Sequence, residues 1–420
     1  MMTIHALPTW LREIKDIRVN AQSPEWLVTE KERAFNALIK SGIPSRKHEK
    51  YKYTDFSFTT DKHYQLSPQK EFGNLSDFVA SSCVTRHFIV MVNGVFKKKL
   101  SALPEALTVM SLKDAMIKHP EWIKSQLLKE ATSYFSELNQ AFFLDGLFFE
   151  IPDDYQSDEP LHILSIITKQ NDCLIVPRNV FMIGENAKVN ILEEYIAKEG
   201  NTYFNNVVTH WHLKKSAKVK CYKKQNEHIE AAHYATNLLE LGEDSHFELV
   251  NITKGGIFSR DDVIARLQGI KANCLLSGFY HLERASQYVD HHVEVIHEAK
   301  YSQSEMLYKG ILDSESRAVF NGRLNVVKDA DRINAYQANH HLLLSSEAEA
   351  YSKPELEIYA EDVKCKHGAT TGQLDEDALF YLQSRGIEER DAKSILIQGF
   401  AEEILKRIHS SIREHFAEVL

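Results

Sequence analysis

The chain has 420 residues, of which 43% are hydrophobic and 26% are charged, and its formal net charge is -9. A chain of this length can bury a large core, so we expect two to four structural units. The acidic balance argues against a nucleic-acid-binding protein, because such proteins concentrate Lys and Arg against phosphates.

The cysteines and the chain start indicate a reducing environment and no membrane association. No C-x-x-C pair occurs, which argues against a disulfide framework or a self-contained metal site. The start lacks a signal peptide's apolar core, and no stretch reaches the roughly 18 apolar residues of a membrane helix, so we expect a cytoplasmic protein. Phosphate-loop, dinucleotide, serine-hydrolase and zincin motifs are also missing. The five cysteines are Cys83, Cys173, Cys221, Cys274 and Cys365.

The first two predicted units are an N-terminal helical region over 1–85 and a small mixed α/β connecting region over 86–155. In the first, apolar residues from Trp26 to Ile39 recur at helical spacing and end at Gly42. The basic, aromatic stretch that follows is expected to be a solvated loop whose tyrosines pack on the main body. In the second unit, "FIVMVNGVF" predicts a strand broken by a turn at Asn93-Gly94.

Residues 156–372 predict an all-β core. Short alternating segments recur there with few helical stripes between them. Small residues enter these strands at a spacing of roughly 27 to 31, which is typical of repeat architectures and predicts an elongated β-solenoid. A large β-sandwich is the alternative. The small residues are Ala187, Ala217, Ser245, Ala272, Ala299 and Ala330.

Residues 373–420 predict a C-terminal helical domain. "DEDALFYLQSRG" has acids in a first helical turn and Gly386 at its end. A second helix is expected through "DAKSILIQGFAEEILKRIHSSIREHFAEVL", with an apolar stripe from Ile395 to Ile412. We expect this domain to cap the end of the solenoid, and its long stripe could also dock another protein.

Cys365 and His367 are the pair that could carry metal chemistry. Side chains two apart on a strand share a face, so both could bind one metal ion. A zinc or cluster site needs about four ligands, so the pair is either an inert strand end or part of a site completed elsewhere, including by another subunit.

Other histidines and acids give weaker signals. The histidines are expected on the exposed solenoid surface, and the acids are expected in turns, where Asp occurs for backbone reasons rather than as a glycosidase pair. The residues concerned are His291, His292, Glu294, His297, His340 and His341, and the acids Asp313, Glu315, Asp329 and Asp331.

The stretch "NHHLLLSSEAEAYSKPELEIYAEDVKCKHGATTGQLDEDALFYLQSRGI", residues 339–387, closely resembles the signature of the SufB/SufD family of iron-sulfur cluster assembly proteins. Supporting stretches occur in order along the chain, among them "GIPSRKHEKYKYTDF", "LNQAFFLDGLFFEIP" and "EMLYKGILDSESRAVFNGRLNV". The Cys-x-His-Gly-Ala-Thr form and the chain length make it most similar to SufD.

The resemblance implies a mainly β fold, a right-handed parallel β-helix flanked by N-terminal and C-terminal helical regions. It implies a heterodimer with a SufB-type paralogue through the β-helix, in a scaffold complex where a SufC-type ABC ATPase supplies ATP hydrolysis. That ATPase would bind the C-terminal helical region around Tyr381, Arg385 and Phe400. His367, with Cys365 beside it, would contact iron or a transient iron-sulfur cluster at the subunit interface.

No cofactor held tightly by the isolated chain is expected, and the isolated chain could form a homodimer. Lys366 departs from the serine often found between the two ligands, which could alter the local charge. Two other functions remain open: a secreted-type β-helix polysaccharide lyase or hydrolase, and a homodimeric interaction protein without a metal role.

Overall fold

A computed structural model gives the structure of residues 8–14, 23–67, 74–129, 131–168, 171–198 and 202–419. The α-helices are α1 (Thr9–Glu13), α2 (Glu25–Ser41), α3 (Ser76–Ser82), α4 (Leu112–Lys118), α5 (Pro120–Leu127), α6 (Tyr134–Phe142), α7 (Glu376–Ser384) and α8 (Glu389–Leu405). A 3-10 helix over Ser410–Val419 follows α8.

The strands form one 11-stranded and one 10-stranded sheet. They are β1 (Gln65–Leu66), β2 (Phe88–Val92), β3 (Val95–Phe96), β4 (Thr108–Ser111), β5 (Leu147–Ile151), β6 (Leu161–Ile167), β7 (Cys173–Ile175), β8 (Arg178–Ile183), β9 (Lys188–Ala197), β10 (Tyr203–Leu213), β11 (Lys218–Asn226), β12 (Ala232–Leu241), β13 (His246–Thr253), β14 (Phe258–Leu267), β15 (Asn273–Leu282), β16 (Tyr288–His297), β17 (Gln303–Leu312), β18 (Arg317–Val326), β19 (Ile333–Leu343), β20 (Glu349–Ile358) and β21 (Val363–Gly372).

From β8 onward the chain winds as a parallel β-solenoid. Even-numbered strands stack in one sheet, which we call the even sheet, and odd-numbered strands stack in the other, the odd sheet. Every neighbouring pair is parallel; Lys218 lies opposite His246, and Asn273 lies opposite Gln303. One coil therefore takes about 30 residues. This confirms the predicted solenoid and excludes the β-sandwich, whose sheets are antiparallel.

The small-residue repeat is correct for four coils and shifted in two. Ala187, Ala217, Ser245 and Ala272 are buried directly before β9, β11, β13 and β15. Ala299 and Ala330 each precede the equivalent position by three residues. Ser302 and Ile333 occupy that position instead, and both are buried.

One apolar core fills the lumen between the two sheets. It joins inward-facing residues of the even sheet, such as Trp211 and Val263, to those of the odd sheet, such as Phe247 and Leu276. Because side chains alternate along a strand, the remaining residues face outward and need a second layer where they are apolar.

The N-terminal helices supply that layer for the even sheet. Phe35 of α2 and Phe135 of α6 share a cluster with the outward-facing Phe204 and Tyr234. An ion pair also lies under this layer: Arg260 Nε is 2.9 Å from Asp262 Oδ1, and both side chains are buried. Removing one partner from such a buried pair would leave an uncompensated charge, which is strongly destabilising.

The basic, aromatic loop after α2 has its tyrosines packed on the main body, as expected. Tyr51 is buried, and Tyr53 stacks on Tyr351 of β20 with ring centroids 4.5 Å apart.

The predicted Asn93-Gly94 turn is also confirmed: it joins β2 to β3 with φ of 48° and 78°, the left-handed backbone of a two-residue hairpin turn.

The C-terminal helices do not cap the end of the solenoid, which corrects the expectation. Ala401 and Ile404 of α8 pack instead on Val250 and Ile252, which face outward from β13. The outer face of the odd sheet is apolar along several coils, and covering it with the helices removes that apolar surface from water. The C-terminal segment therefore runs along the side of the solenoid.

The last predicted helix is two elements rather than one. Helix α8 ends at Leu405, and the chain resumes as a 3-10 helix at Ser410. Arg413 Nη2 donates to the carbonyls of Lys406 and Ile408, both at 3.0 Å, and so supplies donors that continuing the helix would have provided. Ile395 was predicted to belong to the buried apolar stripe, but its side chain is 45% exposed.

The prediction of exposed histidines is wrong for four of the five. His291, His292, His297 and His341 are buried, and His340 is half-buried. The lumen encloses His291, His297 and His341, and the N-terminal layer covers the outward-facing His292. Burial lowers the pKa of His291, His297 and His341 to about 4.

Among the described residues, no helix is both long and apolar enough to cross a membrane.

Candidate functional site at the open end of the solenoid

The solenoid ends in an open coil. β20 is the edge strand of the even sheet and β21 is the edge strand of the odd sheet, so no further coil lies on either. The structure describes both strands from end to end, and no residue in them is fully buried. Edge strands present unpaired backbone N–H and C=O groups that can pair with another chain.

Cys365 and His367 face the lumen at this opening. Cys365 lies opposite Ala335 and packs against the lumen core, whereas His367 lies opposite Gln337 and is exposed. Successive lumen-facing Cα atoms on a strand are about 7 Å apart. The structure therefore places the two residues on one face, as their spacing predicted.

Partial burial sets the chemistry of the thiol. Desolvation raises the pKa of Cys365 above its usual value, so the uncharged thiol dominates at neutral pH in the isolated chain. A cation at the opening would reverse this preference, because the thiolate is the form that ligates metals.

A polar network lies directly behind the opening. Ser352 Oγ donates to Asn339 Oδ1 at 2.5 Å, and it lies 3.3 Å from His341 Nδ1. The other ring nitrogen of His341 is 2.6 Å from the Tyr280 hydroxyl. Gln337 is fully buried beside this network, and its amide has no partner among the described residues. The polar lumen ends here in the exposed imidazole of His367.

The outer face of β21 is bare. A methyl group placed on Gly368 would meet no atom within 4 Å, and the same is true of Gly372. Lys364 and Lys366 alternate with the lumen-facing pair and are exposed on this outer face. Lys366 therefore points away from the lumen that Cys365 and His367 face.

Helix α7 begins four residues after β21 and is the least buried helix of the C-terminal region. Asp375 caps it, accepting from the backbone N–H of Asp377 at 3.0 Å and of Ala378 at 3.1 Å. None of its residues is buried. Phe380 is 71% exposed and Tyr381 is 56% exposed, which leaves an apolar surface of the kind that marks interaction sites.

The other two predicted docking residues differ in setting. The Arg385 guanidinium lies 5.3 Å from the Tyr381 ring centroid and is exposed with it. Phe400 belongs to α8 and is half-buried against the solenoid, with the Lys309 ammonium 5.0 Å from its ring. Phe400 thus contributes to attaching the helices, whereas Tyr381 and Arg385 are on the surface.

The opening holds two potential metal ligands from this chain. Within the described part of the chain, no three His, Cys, Asp or Glu side chains are grouped so that they could hold a metal ion. Phe380 was not among the predicted site residues, although an aromatic pair beside polar neighbours in a short helix was the available signal. Gln337 was not predicted either, because its burial follows only from the register with β21.

Comparisons with known proteins agree with this architecture. Residues 165–400 match the family model described as SUF system FeS cluster assembly, SufBD core domain. Residues 11–163 match the SufBD protein N-terminal region.

Relatives that align over most of their length support the same family. The iron-sulfur cluster assembly SufBD family protein slr0076 of Synechocystis is 30% identical, with 91% of this chain and 87% of the relative covered. The iron-sulfur cluster assembly protein SufD of Escherichia coli is 27% identical over 88% of this chain and 86% of its own. Protein ABCI7, chloroplastic, of Arabidopsis thaliana is 27% identical over 93% and 85%. The chain therefore belongs to the SufBD family of iron-sulfur cluster assembly proteins.

Proposed function

We propose that this chain is the SufD-type subunit of a scaffold complex on which iron-sulfur clusters are built. The observation that carries the proposal is the open last coil, which presents the Cys365 thiol and the His367 imidazole at an unpaired sheet edge. The scaffold role is non-catalytic: the chain holds part of a site and positions it.

The partner at this opening is a SufB-type paralogue. Edge strands β20 and β21 can each extend their sheet by pairing with strands of a second chain, since strand addition satisfies the free backbone groups. Thiolates or carboxylates of the partner would complete the two ligands supplied here, bringing the total towards the usual four. Iron, or the nascent cluster, is the cargo of this interface and not a resident cofactor.

The histidine has a defined part in this scheme. A neutral imidazole nitrogen can ligate iron, and protonation competes with that bond, so acidification weakens the site. The polar network ending at Ser352, Asn339 and His341 fixes the lumen wall behind the opening. A fixed wall positions ligands on rigid strands, which favours a site shared between two subunits.

A SufC-type ABC ATPase would bind the exposed face of α7. Phe380 and Tyr381 supply an apolar centre, and Arg385 lies at its edge. A short connection joins β21 to α7, so movement of the docked ATPase would act on the strand that carries Cys365 and His367.

All five cysteines are free thiols, which supports a cytoplasmic location.

Co-expression tests the assignment. The full chain, tagged, is produced with SufB-type and SufC-type proteins and analysed by affinity capture and size-exclusion chromatography. We expect one complex containing all three proteins. Recovery of this chain only as a monomer or homodimer, with both partners present and folded, would contradict the proposal.

A further inference from the structure

A groove of about 700 Å³ crosses several coils where the chain turns into the odd sheet. The chain is acidic overall, yet most of the charged side chains that line the groove are basic. Among the described residues that line it, Asp244 is the one acidic residue. The basic residues lining it are Lys218, Lys220, His246, Lys271 and Arg332.

The groove is built on a stack of turns, one turn per coil. The backbone N–H of Lys271 donates to Lys300 O at 3.2 Å, and that of Tyr301 donates to Asp331 O at 3.0 Å, so each turn is bonded to the next. Successive side chains of the stack are therefore spaced like neighbouring strands, about 4.8 Å apart. Four such steps separate the coil of Lys218 from that of Arg332, a distance of about 19 Å.

The residue types in this stack are unusual for their backbone conformation. In each turn one residue at positive φ directly precedes the buried position, and the turn before β19 has a further one, Asp329. At the shared position the first three turns have Asn186, Ser216 and Asp244, and Asn and Asp are types that tolerate this region. The next three are larger: Lys271 at 63°, Tyr301 at 62° and Arg332 at 59°. Asn or Gly would fit these turns with less strain, so a role for the long side chains explains their presence.

The charges are only partly neutralised within the chain. Lys220 pairs with Glu248 at 2.9 Å, and Arg332 reaches Asp362 at 3.5 Å. Within the ranges that the structure describes, Lys218 and Lys271 form no ion pair. Asn273 and Gln303 add amide groups between the cations, and the Arg332 guanidinium lies 5.3 Å from the Tyr301 ring centroid.

We infer that this groove binds an extended acidic polypeptide segment of a partner protein. A row of cations about 19 Å long matches roughly six extended residues, whereas a single phosphate would reach only one or two of the cations. Amides at strand spacing can bond the backbone of such a segment while the cations meet its carboxylates. The groove lies along the side of the solenoid, so the inference does not depend on the cluster site at the opening.

Binding of a dye-labelled oligoglutamate of about six residues to the full-length isolated chain tests the inference. Fluorescence anisotropy should show saturable binding that weakens as salt rises. The variant Lys218→Ala/Lys271→Ala/Arg332→Ala should bind about tenfold more weakly. The matched control is Lys98→Ala/Lys99→Ala/Lys118→Ala, which removes three exposed lysines outside the groove and should bind like the wild type.

A second pair of variants separates binding from folding. Lys271→Asn places a residue suited to positive φ in the turn and removes one cation, so it should raise the melting temperature yet weaken binding about two- to threefold. Ser286→Asn, at a positive-φ turn before β16 and outside the groove, should stabilise without changing binding. Absence of oligoglutamate binding, equal losses in the two triple variants, or tighter binding of single-stranded DNA than of oligoglutamate would overturn the inference.

Discussion

Tyr308 of β17 lies directly over Gly278, its register partner in β15, and Tyr280 of β15 lies over Gly310 of β17 in the same way. Both tyrosines are fully buried in the lumen. The two glycines thus provide the space into which the aromatic rings of the adjacent coil fit. This packing ties two neighbouring coils together close to the polar network behind the opening.

Replacing Gly278 by Ala should therefore destabilise the solenoid. The added methyl group would overlap the Tyr308 ring, and overpacking of this kind costs about 1–3 kcal/mol. Urea denaturation should show the loss in the free energy of unfolding. Gly368→Ala is the matched control, since its methyl group meets open space and should change stability by less than about 0.5 kcal/mol. Equal effects of the two substitutions would show that the ring contact does not limit the packing.

Acidification should weaken the fold through its buried histidines. Burial lowers the pKa of His291 to about 4, whereas an unfolded histidine titrates near about 6.5. Between these values the unfolded chain binds a proton that the folded chain does not, so stability is fully present above about pH 6.5 and falls below it. Each such histidine contributes up to about 1.4 kcal/mol per pH unit.

Unfolding measured from pH 7 to pH 5 tests this effect in wild type and in His291→Phe. The ring of His291 lies 5.3 Å from that of Tyr280 and 5.0 Å from that of Tyr308, so an aromatic replacement suits the site. The variant should lose less stability on acidification. His48→Phe, at an exposed position, should keep the wild-type slope. If the free energy of unfolding fell with pH as steeply in His291→Phe as in the wild type, buried His291 would not be a cause of the acid sensitivity.

Removing the exposed aromatic pair of α7 should impair ATPase binding without affecting folding. In Phe380→Ser/Tyr381→Ser, neither lost ring is buried in the isolated chain, so the unfolding free energy should stay within about 0.5 kcal/mol. Affinity for the SufC-type partner, measured by calorimetry, should fall at least about tenfold. Ile117→Ser removes an apolar side chain that is 80% exposed on α4 and serves as the control. Wild-type affinity in the double variant would remove α7 from the proposed interface.

The repeat and the strands could be predicted from the sequence because alternation and turn spacing are local signals. The position of the C-terminal helices could not. Val250 and Ile252 are apolar and face outward from β13, while Phe247 and Leu249 of the same strand face the lumen. A strand that is apolar on both faces signals that something covers it, but its pattern does not identify which segment does.

The candidate site divides in the same way. The shared face of Cys365 and His367 follows from their spacing of two on a strand, and the structure has them on that face. Their exposure depends on the fact that no coil follows β21, which local sequence does not encode. His291 shows the reverse case: a histidine pair in an alternating segment gave no sign that Tyr280 and Tyr308, from neighbouring coils, would bury it.

The central claim is that His367 supplies a ligand at the interface with the SufB-type partner. The most direct test measures iron-sulfur cluster formation on the reconstituted three-protein complex, by visible absorbance and acid-labile sulfide. His367→Ala should slow cluster formation at least about tenfold, with the complex still assembled by size-exclusion chromatography. Lys366→Ala, which alters the neighbouring side chain on the opposite face of β21, should leave the rate unchanged. Wild-type cluster formation in His367→Ala would contradict the account.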